Sequence, residues 1–253
     1  MTRVASAGTV VVALWLAGPA AALGICVEGD YPPFSEVLAD GSIVGFDIDI
    51  AAALCTQMGE TCELVRTRWE RMIPTLTGGG CDAIVASMSD TTERREQIDF
   101  STVYYKTPVR FVAAAGQDFA DSPDALAGKV VGVQRGTTNE LFMEAHYPAT
   151  TLRLYGNQEH VLLDLTLGRL DAVLGEQRQL ETGFTETPAG AGFALVGDPH
   201  FDPAIQGEGA AVGVRKEDAG LRDRFSDAIA AIRADGTYAA ISERWFGEDI
   251  YGG

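Results

Sequence analysis

Glu28 and Arg94 each stand just past a run of apolar residues that reads as a buried strand. Gly24-Ile25-Cys26-Val27 leads into Glu28-Gly29-Asp30-Tyr31-Pro32-Pro33-Phe34. Asp82-Ala83-Ile84-Val85-Ala86 leads into Ser87-Met88-Ser89 and on to Thr91-Thr92-Glu93-Arg94. In open α/β sheets the ligand crevice lies outside the carboxyl ends of the strands. One strand end therefore offers an anion, the other a guanidinium and hydroxyls. Together they complement a zwitterion that carries an additional positive charge.

The elements that must hold these groups alternate along the chain. Ile48, Ala51, Ala52, Cys55 and Met58 keep helical spacing up to Gly59, and Trp69, Met72, Ile73 and Leu76 keep it up to Gly78-Gly79-Gly80;. Strand-like runs between them predict parallel sheets covered by helices, an α/β class. An internal echo doubles the pattern: Leu76-Thr77-Gly78-Gly79-Gly80-Cys81-Asp82-Ala83-Ile84-Val85 resembles Leu165-Thr166-Leu167-Gly168-Arg169-Leu170-Asp171-Ala172-Val173-Leu174. The first strand leads to Ser87 and Ser89, the second to Glu176, so two similar lobes would set these tips on opposite walls of one cleft. Crossovers are expected near Lys106-Thr107-Pro108 and Gln206-Gly207-Glu208-Gly209. That gives a first lobe over 23–106, a second over 107–208, and a return to the first over 209–253, with a two-strand hinge between them.

The chain opens as an exported protein does. Arg3 precedes the apolar Val10-Val11-Val12-Ala13-Leu14-Trp15-Leu16, and Pro19-Ala20-Ala21-Ala22 is a small-residue cleavage pattern, so 1–22 reads as a signal peptide;. The apolar run is shorter than the roughly 20 residues of a spanning helix. Export makes the four cysteines disulfide candidates;. Cys55 and Cys62 are close in sequence; Cys26 and Cys81 begin two strands, and for them a bridge and two buried thiols both remain open. The formal charge of −17 becomes −18 on loss of Arg3 (−17 − 1), which reads as a solvated acidic surface and excludes nucleic acid as a partner;. His146, His160 and His200 have no metal-ligand spacing, no nucleophile pairs with a base, and no cofactor motif occurs.

Val44-Gly45-Phe46-Asp47-Ile48-Asp49-Ile50, Ile73-Pro74-Thr75-Leu76, Thr91 to Arg94, Val131-Gly132-Val133-Gln134-Arg135-Gly136-Thr137-Thr138 and Arg233-Ala234-Asp235-Gly236-Thr237-Tyr238 are together similar to the polar amino acid-binding proteins of bacterial ABC importers. Within that family the chain resembles most the lysine/arginine/ornithine and histidine binders. The resemblance implies a monomeric periplasmic receptor with the two-lobed type II binding-protein fold, which closes on an amino acid and docks on a membrane permease. It implies that Arg94, with Ser87 and Thr138, takes the α-carboxylate, as a guanidinium fork suits. Thr137, Thr138 and Asn139 would open a helix whose free N–H groups favour anions. Ser89 and Glu176 would hold the α-ammonium, Tyr31 and Trp69 would sandwich the side chain, and Glu28 would meet its distal cation. Cys55 and Cys62 fit the same branch as a disulfide.

Three positions depart from the family pattern. Glu176 stands where Asp is usual, Ala86 where the histidine branch tends to carry Ser, and Asn139 where Gln is frequent. Position 86 retains its main-chain contact, and Asn139 would enlarge the side-chain end of the pocket. The resemblance extends to opine receptors, and to periplasmic cyclohexadienyl dehydratases in which Glu176 would act as general acid. Trp69 also falls on the stripe of Met72, Ile73 and Leu76, which on its own predicts core packing.

Overall fold

A computed structural model describes residues 22–117 and 119–252. The proposed signal peptide therefore lies, but for Ala22, outside the described residues. The elements follow in chain order. The first group is β1 (Leu23–Val27), β2 (Asp30–Tyr31), β3 (Ser35–Val37), β4 (Ile43–Val44), α1 (Phe46–Met58), β5 (Cys62–Arg66), α2 (Met72–Thr77), β6 (Ala83–Ile84) and β7 (Asp99–Tyr105). The second is β8 (Val109–Ala114), β9 (Val130–Gln134), α3 (Thr138–His146), β10 (Thr151–Tyr155), α4 (Gln158–Thr166), β11 (Ala172–Glu176), α5 (Gln177–Leu180), β12 (Phe193–His200) and α6 (Pro203–Gln206). The chain closes with β13 (Ala210–Val214), α7 (Ala219–Ala234) and α8 (Thr237–Phe246).

Two five-stranded sheets have the same plan, β5-β1-β6-β13-β7 and β10-β9-β11-β8-β12. In each, three parallel strands are followed by one antiparallel neighbour, β13 against β6 and β8 against β11. The chain passes from the first sheet to the second between β7 and β8, and returns between β12 and β13. A small sheet, β2-β3-β4, sits above the first.

Both faces of each sheet are covered, which is why their strands read as continuous apolar runs rather than alternating ones. On one face of the first sheet Phe34, Phe46, Ile50, Leu54, Phe225 and Ile229 pack together; on the other, Met72, Leu76, Ile84, Met88 and Ile98. Helix α1 ends where Gly59 takes the left-handed conformation, φ 70°, and closes the last turn with bonds to Cys55 and Thr56;. Both cysteine pairs are bridged, Cys26 to Cys81 and Cys55 to Cys62. The first ties β1 to the chain entering β6, so the strands that carry Glu28 and Ser87 are joined covalently.

The strand expected over Asp82 to Ala86 is short. Only Ala83–Ile84 forms ladder on both sides, since Ser87 swings to φ 53° and carries the chain out of the sheet. Trp69 does not begin an α-helix; it begins a single 3-10 turn, Trp69–Arg71, that precedes α2.

Candidate functional site

The first wall of the site is built where β1, β6 and the turn before α2 end. Glu28 follows β1, is 4% exposed, and its Oε1 accepts a hydrogen bond from Gln134 Nε2 at 2.7 Å. Burial pushes its carboxyl up to about 7; the bond from Gln134 pulls the other way, and the charges of Asp30, Asp47 and Glu70 add to the rise;. Tyr31 packs on Phe34 with ring centroids 5.7 Å apart. Trp69 donates its indole N–H to the Gly136 carbonyl at 3.0 Å. Asp30 is not part of the cavity wall; it pairs with Arg66 at 2.6 Å on the surface.

Arg94 is held by main-chain oxygens rather than by carboxylates. Nη1 donates to Ser89 O at 2.9 Å and Nη2 to Gly136 O at 3.3 Å, with the guanidinium 5.2 Å from the Trp69 ring centroid. Burial lowers its pKa to about 10, so it stays charged at neutral pH. Ser87 is engaged within the wall. Its hydroxyl donates to Asp47 Oδ2 at 2.8 Å, and its N–H donates to the Tyr104 hydroxyl at 3.0 Å. The left-handed backbone that presents these groups costs a non-glycine residue about 1–3 kcal/mol. Asp47 also accepts from Tyr104 at 2.8 Å and, fully enclosed, is pushed up to about 7 by burial.

The second wall repeats the logic. Strand β9 ends at Gln134, whose carbonyl accepts from Thr137 Oγ1 at 2.7 Å, and α3 begins at Thr138. Thr137, Thr138 and Asn139 thus bring the opening turn of a nine-residue helix to the cavity. Strand β11 ends at Glu176, whose carboxylate accepts from Thr107 Oγ1 and, at 3.1 Å, from the Tyr105 hydroxyl. Burial raises this carboxyl to about 7, against the pull of those two hydroxyls.

All the residues singled out in the sequence, Glu28, Tyr31, Trp69, Ala86, Ser87, Ser89, Arg94, Thr137, Thr138, Asn139 and Glu176, line one cavity. Sequence reasoning missed Tyr105, Lys106, Thr107, Gln134, Phe201 and Gln206, which line it too. Gln134 had a signal: it follows Val131-Gly132-Val133 at a strand end, as Glu28 follows Ile25-Cys26-Val27. The others come from the two crossovers, where only the pairing of distant segments puts them together. Glu28 also borders a neighbouring groove with Arg66 and His160, and Arg94 borders a different one with Gly136 and Glu140. The Glu28 carboxyl and the Arg94 guanidinium therefore stand towards separate margins of the cavity.

The family described as bacterial extracellular solute-binding proteins, family 3, matches residues 23–248. Over 230 residues the chain is 41% identical to an L-arginine-binding protein of Pseudomonas aeruginosa, covering 90% of this chain and 89% of that one. It is 38% identical over 230 residues to a lysine/arginine/ornithine-binding periplasmic protein of Escherichia coli, covering 90% and 88%. A solved periplasmic binding protein of Salmonella typhimurium, described for its high arginine specificity, superposes with a TM-score of 0.82 at 30% identity over 90% of this chain and 100% of that one.

Proposed function

Because this chain belongs to the bacterial extracellular solute-binding proteins, family 3, we propose that it is a periplasmic receptor that captures a cationic L-amino acid and delivers it to the permease of an ABC importer. Its candidate ligands are arginine, lysine, ornithine and histidine. The observation that carries the reading is the set of charges in one cavity: the Arg94 guanidinium towards one margin, the Glu28 carboxyl towards another, and Glu176 on the facing wall, with Tyr31 and Trp69 lining the same space. Those groups complement the three charges of a basic amino acid, an α-carboxylate, an α-ammonium and a distal cation. An aromatic face adds about 0.5–2 kcal/mol to the grip on a cation, while the carboxylate decides the charge.

In this reading residues 23–106 and 209–253 form one lobe, 107–208 form the other, and the protein acts as a monomer. Arg94 takes the α-carboxylate with the N–H and hydroxyl groups at the start of α3. Ser89 and Glu176 take the α-ammonium. Ser87, its hydroxyl bonded to Asp47 and its N–H to the Tyr104 hydroxyl, shapes the wall on which the carboxylate rests.

A thermal-shift screen of the common amino acids tests the proposal. A ligand at 100 times its Kd stabilises the folded form by about 2.7 kcal/mol, so basic amino acids should raise the midpoint and acidic ones leave it unchanged. A second reading has one observation in its favour, the Glu176 carboxyl raised to about 7 in the cleft. It would make Glu176 the general acid of a dehydratase. Loss of water from a cyclohexadienyl acid incubated with the protein would replace the receptor reading.

A further inference from the structure

The end of the cavity beside Glu28 has more hydrogen-bonding capacity than one carboxylate supplies. Gln134 is 3% exposed and meets Glu28 across the cleft at 2.7 Å. An ionised carboxylate only accepts, so the amide turns its NH2 group to Glu28 Oε1. The amide oxygen of Gln134 is then left on the opposite branch of a side chain that lines the cavity, and it accepts no hydrogen bond from any described residue. Glu28 Oε2 likewise has no donor among the described residues. The root of Gln134 is fixed, since its main chain pairs with Tyr155 in the β9–β10 ladder and its carbonyl takes the Thr137 hydroxyl.

Two acceptor oxygens, on two side chains already joined by a hydrogen bond, therefore belong to the same cavity that the flat rings of Tyr31 and Trp69 line. A guanidinium is planar, carries five N–H donors in a rigid fork and stacks on aromatic faces. It can give one edge to Glu28 and a further N–H to the Gln134 oxygen while its face lies on a ring. An ammonium is a compact, strongly hydrated point charge that needs no such plane. We propose that Gln134 is the residue that sets the preferred distal group as a guanidinium, making the receptor selective for arginine over lysine and ornithine.

The inference rests on the receptor reading above. A site that hydrogen-bonds a particular ligand group discriminates strongly against ligands lacking it, because its buried polar atoms are then left unpaired. Were Gln134 only a prop for Glu28, its loss would weaken every cationic ligand alike.

Calorimetric titration of arginine and lysine into the wild type, Gln134→Leu and Gln134→Met separates these outcomes. Both variants keep an apolar filler of similar size; the second preserves the unbranched shape should the first fail to fold. The expected result is wild-type preference for arginine and, in either variant, a loss for arginine that exceeds the loss for lysine by about 10- to 100-fold. An arginine-to-lysine ratio that is unchanged by the substitutions, or a wild type that prefers lysine, overturns the inference and leaves the receptor reading standing. A wild type that binds neither amino acid overturns both.

Discussion

Glu28, Asp47 and Glu176 are carboxyls whose burial raises them to about 7, and this fixes the sign of the protein's response to pH. A carboxyl with a folded value above its unfolded one stabilises the fold fully below the unfolded value, and that contribution is lost as pH rises through about 7. Without ligand, the protein should lose stability between roughly pH 4.5 and 8. Glu28→Gln removes one such group and should raise ligand-free stability at pH 8 by about 1–3 kcal/mol in urea unfolding. The same substitution should weaken arginine far more than glutamine, since only arginine brings a charge to meet; equal weakening would assign Glu28 to folding alone. Binding a cation favours the ionised form, so arginine affinity should fall by about tenfold per pH unit below pH 7 for each carboxyl involved, with proton release measurable by calorimetry in buffers of different ionisation enthalpy. Arg94 gives the complementary test. Arg94→Ala strands a buried ligand carboxylate, which costs about 3–5 kcal/mol, and affinity should drop more than a hundredfold; retention within about threefold would remove Arg94 from the site.

At the scale of elements, the internal echo has a physical cause that the sequence could only hint at. Asp82 precedes β6 and accepts the Gly24 N–H at 2.9 Å; Asp171 precedes β11 and accepts the Val130 N–H at 2.7 Å. Each aspartate pins the parallel neighbour of its strand, β1 or β9, to the strand that bears the next site residues, so the same short motif recurs where the same joint recurs. Such local rules made β1, α1, β6 and the strand-end groups readable: apolar runs, glycine stops and the crevice rule act over a few residues. What was not readable depends on distance in the chain. The Ser87 hydroxyl is bonded to Asp47, 40 residues away, and Gln134 meets Glu28 across 106; nothing near Ser87 in sequence announces an aspartate partner on α1. The two disulfides divide along the same line. Cys55 and Cys62 span seven residues, but Cys26 and Cys81 span 55 and depend on β1 and β6 being neighbours. On a chain-entropy account, closing the longer loop stabilises by about 4 kcal/mol and the shorter by about 2. Paired alanine replacement of Cys26 and Cys81 should therefore lower unfolding free energy more than replacement of Cys55 and Cys62. The reverse order in denaturant titrations would mean that strain or residual unfolded structure outweighs loop length.

Seen whole, the molecule joins its walls through contacts that lie outside the cavity as well as within it. The cavity is lined from both walls, by Glu28, Trp69 and Arg94 on one and by Gln134, Thr138 and Glu176 on the other, so an amino acid seated in it would bridge them. Inside, Gly136 O takes donors from Trp69 and Arg94, and Gln134 reaches Glu28. Outside, Gln179 Nε2 donates to Pro32 O at 3.3 Å and Arg178 pairs with Glu248. Between these runs Gly183, where an added Cβ would stand 2.2 Å from Pro32 O and 2.9 Å from Pro32 C. Neither neighbour can yield cheaply, because both atoms are backbone. A methyl group at position 183 should therefore hold the lobes apart by opposing only the closed form, at a cost of about 1–3 kcal/mol. Closure is a two-state equilibrium that ligand and protein contacts bias together, so a penalty on the closed state reduces apparent affinity by the same factor for every ligand. Gly183→Ala should weaken arginine and lysine equally, by about tenfold, and leave their ratio as in the wild type. Small-angle scattering at an arginine concentration that saturates the wild type should give the variant a larger radius of gyration. Unchanged affinity and an unchanged radius would show that the lobes settle without the Pro32 contact, and closure would then rest on the contacts inside the cavity alone.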